Sequence, residues 1–258
     1  MMITAVISNK ILSKVEIFIA TLFHFFLFVF TLYHHHHKSC ALLRFHNLKM
    51  ARYASQEIKD ELIKVANALV ANGKGLLAAD EGHPVVGARL EKVGVEANEQ
   101  TRQAFRHMMF KTEGKLSENL GGVILHHETI YQKDKDGNRI VDELTKKGIM
   151  KGIKTDLGWM LMPGTQGEMT TQGLDNLYER SVQYKKDGCV FAKWRCPLKI
   201  QGGGVTPTDL AIDQCAEISG RYAAISQHAG LVPIVEPDVM LDGDHDIEMC
   251  QKVSEKVK

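Results

Sequence analysis

The sequence predicts an α/β fold of repeated strand–helix units around a parallel sheet, and three observations carry that prediction. Beyond residue 50, short apolar runs alternate with longer amphipathic stretches, the pattern of βα repeats. The apolar runs end on charged residues, where parallel α/β sheets gather their chemistry. The chain has 258 residues, 44% of them hydrophobic and 24% charged, enough apolar content to bury one large core.

The first 49 residues stand apart from this pattern. Ile17 to Tyr33 reads IFIATLFHFFLFVFTLY, an apolar run broken only by threonines and His24 and just short of a bilayer span. It has the look of a signal-peptide core or a marginal membrane helix. No small-residue cleavage site follows it, and His34 to His37 lead into a stretch with neither helix nor strand periodicity. Residues 1–49 are therefore expected to be an apolar extension outside the fold, with Met50 as the natural start and residues 50–258 as the folded part. A membrane role would require residues 17–33 to be a real anchor. The histidine run could bind nickel or zinc as any such tract does, and no function is assigned to it.

From Met50 the character changes. Ser55 precedes Glu57 and apolar residues recur at helical spacing, which predicts a capped amphipathic helix. Five strands follow: GLLAAD (Gly75 to Asp80), GGVILHH (Gly121 to His127), IMKGIKT (Ile149 to Thr155), CVFAKWR (Cys189 to Arg195) and LVPIVE (Leu231 to Glu236). Helices are predicted between them. One runs from Thr170 to Lys186, closed by Asp187-Gly188; another runs from Thr208 to Ala229, opened by Thr206-Pro207 and followed by Gly230. No internal repeat, low-complexity tract or interdomain linker interrupts them.

Composition narrows the functional classes. Thirty-two Lys and Arg against 31 Asp and Glu leave no long-range field for nucleic acid or an anionic membrane, so any anion site must be local. The five cysteines, Cys40, Cys189, Cys196, Cys215 and Cys250, are odd in number and contain no CxxC pair, which argues against a disulfide framework and against a zinc site. A reducing cytoplasm fits this usage.

The candidate chemistry sits at strand ends. Asp80 closes the first strand, Lys154 the third, Lys193 and Arg195 the fourth, and Glu236 with Asp238 the fifth. Side chains alternate faces along a strand, so Lys193 and Arg195 share one face while Trp194 takes the other, and Glu236 and Asp238 pair around Pro237 in the same way. Two cations and two carboxylates aimed at one interior suit a phosphorylated, hydroxylated substrate whose protons must be moved. The plainer readings stand beside this one. Asp80 alone reads first as a helix cap or turn residue, Lys154 can be a surface lysine, and Lys193 and Arg195 can be partners of Glu236 and Asp238 in a buried structural network.

A resemblance goes further. The strings GKGLLAADE (Gly73 to Glu81), GGVILHHETIYQK (Gly121 to Lys133), GTQGEMTTQGLD (Gly164 to Asp175), YKKDG (Tyr184 to Gly188), FAKWRC (Phe191 to Cys196), VPIVEPD (Val232 to Asp238) and DGDHD (Asp242 to Asp246) resemble the class I fructose-bisphosphate aldolases in order and nearly in spacing. The resemblance implies a TIM (β/α)8 barrel of which only about the first five βα units are present. It also implies a glycolytic lyase that reversibly cleaves fructose 1,6-bisphosphate to dihydroxyacetone phosphate and glyceraldehyde 3-phosphate through a Schiff base. No metal and no cofactor are expected, and family members are homotetramers. By the same resemblance Asp80, Lys193, Glu236 and Asp238 are catalytic. Asp80 assists proton transfer at the scissile carbon, and Lys193 is the cation whose charge keeps the nucleophilic lysine as free amine. Glu236 acts as general acid and base on the carbinolamine. Arg89, Arg102, Lys154 and Arg195 match substrate-binding positions.

The sequence departs from the family in three places. Gly82, His83, Pro84 and Val85 stand where a Ser-Thr-Gly-Ser phosphate run is usual, so one phosphate subsite is expected to differ. Asp238 replaces a second glutamate and reaches one methylene less far. The Schiff-base lysine belongs to a sixth strand, and Lys252, Lys256 and Lys258 have no strand context to replace it. Residues 50–258 are thus expected to be an incomplete barrel, inactive alone. The alternative in a different class is a non-catalytic phosphosugar-binding or scaffold fragment.

Overall fold

The computed structural model describes residues 55–257. The expectations for residues 1–49, including Ile17 to Tyr33 and His34 to His37, lie outside the described residues, as does Met50. The described chain divides into two compact units. One is Glu81–Met109, and the other comprises the described residues up to Asp80 together with those from Phe110 onward.

The larger unit starts with α1 (Gln56–Leu69), where the Ser55 side chain accepts a hydrogen bond from the Ile58 amide and satisfies an otherwise orphaned first-turn donor. Then come β1 (Gly75–Ala79), and, within the smaller unit, α2 (His83–Lys92) and most of α3 (Glu99–Lys111). The larger unit resumes with α4 (Leu116–Asn119), β2 (Leu120–Leu125), α5 (His127–Tyr131), α6 (Asp142–Lys146) and β3 (Met150–Lys154). A short hairpin of β4 (Trp159–Leu161) and β5 (Met169–Thr171) precedes α7 (Leu177–Lys186), β6 (Cys189–Leu198), α8 (Asp209–His228), β7 (Val232–Val239) and α9 (Ile247–Val257). The smaller unit closes on its own apolar cluster of Val86, Leu90, Val95 and Phe105.

The main sheet runs β1-β2-β3-β6-β7, every neighbour parallel. Each new strand is added on the same side, without the reversal of order that marks a doubly wound sheet, so the strands trace an arc of a (β/α)8 barrel. The arc is curled. Asp80 follows β1 and Lys193 lies on β6, three strand positions away, which in a flat sheet is about 14 Å. Their side chains nonetheless meet at 3.1 Å across the inner face.

Two faces follow from strand parity. Ala79, Val123, Leu125, Ile153, Ala192 and Trp194 are fully buried on the outer face, where Trp194 stacks on Tyr222 of α8 with ring centroids 5.2 Å apart. On the inner face, at the N-terminal ends of the strands, Leu62 and Leu69 of α1 pack with Ile124, Phe191 and Val232. Glycines make that closeness possible. A Cβ on Gly121 would lie 2.5 Å from the Leu69 carbonyl oxygen, and one on Gly122 would lie 2.7 Å from the Phe191 ring. At Gly152 it would lie 2.0 Å from that ring. The Phe191 ring therefore occupies the space over Gly152 of β3 and Gly122 of β2, and α1 packs on it at that end of the arc.

Several element boundaries differ from expectation. The helix expected over Thr170–Lys186 begins at Leu177, because Thr170 and Thr171 belong to β5, which pairs antiparallel with β4. The second strand stops at Leu125, and His126 instead accepts the Glu128 amide through Nδ1 to cap α5. The fourth and fifth strands run on to Leu198 and Val239. Thr208, not Thr206-Pro207, caps α8, accepting from the Ala211 amide.

Candidate active site

Each inner row of the sheet changes chemistry along its length. β1 runs Leu76, Ala78, then Asp80; β3 runs Met150, Gly152, Lys154; β6 runs Phe191, Lys193, Arg195; β7 runs Val232, Ile234, Glu236, Asp238. The ladder keeps these residues level. Lys154 is in register with Lys193, and Arg195 with Glu236. Apolar side chains thus occupy the end closed by α1, and charged ones the carboxyl ends of the strands.

Lys193 is the centre of the charged end. Its Nζ donates to Asp80 Oδ2 at 3.1 Å and pairs with Glu236 Oε2 at 2.8 Å. Asp80 is almost wholly buried and Lys193 nearly so, whereas the Glu236 side chain is 39% exposed. Burial is the largest influence on the Lys193 ammonium and acts against its charge, but Asp80 and Glu236 together outweigh it and raise its pKa above the ordinary value. For Glu236, burial is again the largest influence and raises the carboxyl pKa, with the Lys193 charge opposing it only in part. The trio thus holds a firm cation beside a carboxyl whose proton affinity is increased.

Lys154 and Lys193, level on adjacent strands, would repel each other. Each turns to its own acid. Lys154 Nζ pairs with the carboxylate of Asp156 and donates to its backbone carbonyl at 3.1 Å. The Asp156 side chain is completely buried, and it also accepts from the amides of Gly158 (3.1 Å) and Arg195 (3.4 Å). Arg195 in turn grips Asp238, with Nε donating to Oδ2 at 2.8 Å and Nη2 bonded to the same oxygen. Its guanidinium carbon lies 4.8 Å from the centroid of the Trp159 ring.

The larger unit therefore brings together Asp80, Lys154, Lys193, Arg195, Glu236 and Asp238. Arg89 and Arg102 belong to the smaller unit, on α2 and α3. There Arg89 is ion-paired with Glu81. Asp156, Trp159 and Thr171 were not foreseen at the site. Asp156 had a usable signal, a carboxylate two residues past a strand-end lysine. Among the described residues no three His, Cys, Asp or Glu side chains converge as metal ligands would, and no helix is long and apolar enough to cross a membrane.

Comparison with known proteins identifies the family. Residues 61–258 match the family described as glycolytic, fructose-bisphosphate aldolase class-I. A fructose-bisphosphate aldolase from Drosophila melanogaster is 53% identical over 205 residues, covering 80% of this chain and 56% of the relative. Fructose-bisphosphate aldolase B from Homo sapiens is 51% identical over 203 residues, covering 79% of this chain and 55% of the relative. The chain thus spans about half the length of the curated relatives it matches. Among solved structures, fructose-bisphosphate aldolase from Plasmodium falciparum, crystallised with TRAP and a small-molecule inhibitor, superimposes with a TM-score of 0.78 at 40% identity, covering 82% of this chain and 60% of that one.

Proposed function

The chain belongs to the class-I fructose-bisphosphate aldolase family, and from that premise we propose that it carries the front half of a Schiff-base aldolase site for reversible cleavage of fructose 1,6-bisphosphate to dihydroxyacetone phosphate and glyceraldehyde 3-phosphate. The observation that carries this reading is the bridge Asp80–Lys193–Glu236 on the inner face of the strand ends. In it, Lys193 is the fixed positive charge that favours the free-amine form of a neighbouring nucleophilic lysine. Glu236, with its proton affinity increased by burial, exchanges protons with the carbinolamine oxygen. Asp80, on the other side of Lys193, takes or returns the proton at the scissile bond. Lys154 and Arg195 bind the anionic and hydroxyl groups of the substrate, and Asp238 orients Arg195. The cytoplasm as location and a homotetrameric assembly belong to this same reading.

Among the described residues no strand follows β7, and the lysines beyond it, Lys252 and Lys256, lie on α9, where Lys256 pairs with Asp209 at 3.1 Å. We therefore expect these 258 residues alone to bind the sugar bisphosphate without forming the imine. The test is to incubate the chain with dihydroxyacetone phosphate and borohydride and search for a trapped adduct by mass spectrometry, alongside calorimetric titration with fructose 1,6-bisphosphate. Saturable binding with no adduct supports the reading. A stoichiometric adduct on one lysine would identify a substitute nucleophile, Lys193 being the first to examine, and an absence of binding would overturn the site.

A further inference from the structure

The β4–β5 hairpin holds Arg195 at two places. Thr171 Oγ1 donates to the Arg195 backbone carbonyl at 2.8 Å, and Trp159, which pairs with Thr171 in the hairpin register, lays its ring against the guanidinium at 4.8 Å. The hairpin is itself tied down. Its Glu168 accepts from the Thr208 amide at 2.6 Å and from the Thr208 hydroxyl at 2.8 Å, at the start of α8. Beneath it, Asp156 holds the Arg195 amide.

The division of labour at the guanidinium follows from its shape. An arginine fork offers a flat face to an aromatic ring and its edge N–H groups to anions. Here the Asp238 carboxylate takes Nε and Nη2, the guanidinium carbon lies over the indole ring, and Nη1 makes no hydrogen bond among the described residues. A long, rotatable side chain, about one-third exposed, is thereby held in one orientation before any ligand arrives.

We propose that Trp159 is a positioning residue that presents the Arg195 guanidinium, Nη1 foremost, to an anionic group of the substrate. The inference rests on the sugar-phosphate reading above and adds a residue to it that touches no reacting atom. Trp159 acts through Arg195, and its indole is also placed to sense what Arg195 binds. Trp194, the only other tryptophan, is fully buried behind the strand and stacked on Tyr222.

The experiment uses the full chain, titrated calorimetrically with fructose 1,6-bisphosphate and with inorganic phosphate, in the parent and in W159L, W159F, R195A and W159L/R195A. Far-UV circular dichroism and thermal unfolding check that each variant is folded. W159L is expected to weaken bisphosphate binding about threefold to tenfold, and W159F, which keeps an aromatic face, to recover most of that loss. In the R195A background the leucine substitution is expected to add nothing. The parent's tryptophan emission should change on saturation with bisphosphate, and that change should vanish in W159F although affinity is kept. Unaltered affinity in a folded W159L, or a loss of equal size in the R195A background, would overturn the inference while leaving the sugar-phosphate reading intact. Absence of saturable bisphosphate binding by the parent would overturn both. Should W159L fail to fold, W159M takes its place in the same comparison, and parental affinity in a folded W159M refutes the role given to Trp159.

Discussion

The two ends of the inner sheet face are made by the same five strands yet follow opposite rules. At the end closed by α1, Leu69, Ile124, Phe191 and Val232 fit so closely that Gly122 and Gly152 have no room for a methyl group. At the other end Asp80 and Lys193 hold charges largely away from water beside a partly exposed Glu236, an arrangement that gives little net stability because desolvation offsets the attraction. Shape holds the strands together at one end; at the other, groups are held against their own solvation, ready to act. Only the packed end can bear the cost of the charged one.

That contrast can be broken, beginning at the packed end. Phe191→Ala removes the ring shared by β2, β3 and α1 and is expected to lower the unfolding free energy by about 3–5 kcal/mol, seen as a lower urea midpoint, with no substitution at the charged end. Gly152→Ala tests the same region by addition. A methyl group placed where the ring lies is expected to cost about 1–3 kcal/mol, and a mutant with parental stability would show that the end is looser than described.

The charged end should answer to pH more than to denaturant. Because the folded-state pKa of Glu236 is raised above the ordinary 4.5, the native state binds more protons than the unfolded state above that pH. Its contribution to stability therefore falls as pH rises from 4.5 through the folded pKa. Glu236→Gln is expected to remove this fall, so the stability difference between variant and parent should widen in the variant's favour over that window and then level off. Parallel pH–stability curves would deny the raised pKa. The smallest effect belongs to the tether of the packed end: Ser55→Ala, which deletes the α1 cap, should cost about 1 kcal/mol or less, measured by thermal unfolding.

How much of this was legible in the sequence depended on distance along the chain. The five main strands were readable because a parallel strand buried on both faces appears as an unbroken apolar run, as in GGVIL or CVFA. Their charged ends were readable because each run stops on an ionisable residue. The hairpin was not. WML and MTT are three residues each, too short for a period, and Thr170-Thr171 fitted the start of a helix equally well. Asp156 was missed for another reason. Its role depends on the Arg195 amide, 39 residues away, and only the β3–β6 ladder brings the two together. The partner choice within the charged end, with Lys193 taking Asp80 across three strand positions rather than the nearer Asp156, needed the curl of the sheet, which no local pattern encodes.

The alternation along β6 also bears on how the chain avoids misassembly. If β6 paired with β3 one residue out of step, Trp194 would enter the charged end while Lys193 and Arg195 turned toward α8 and Tyr222. Both cations would lose their acids and the largest side chain of the strand would lose its apolar bed. Each error would aggravate the other. The residues that equip β6 for chemistry thus act as a checksum on its pairing, and a strand of uniformly apolar residues, however stable, would carry no such record of its correct position.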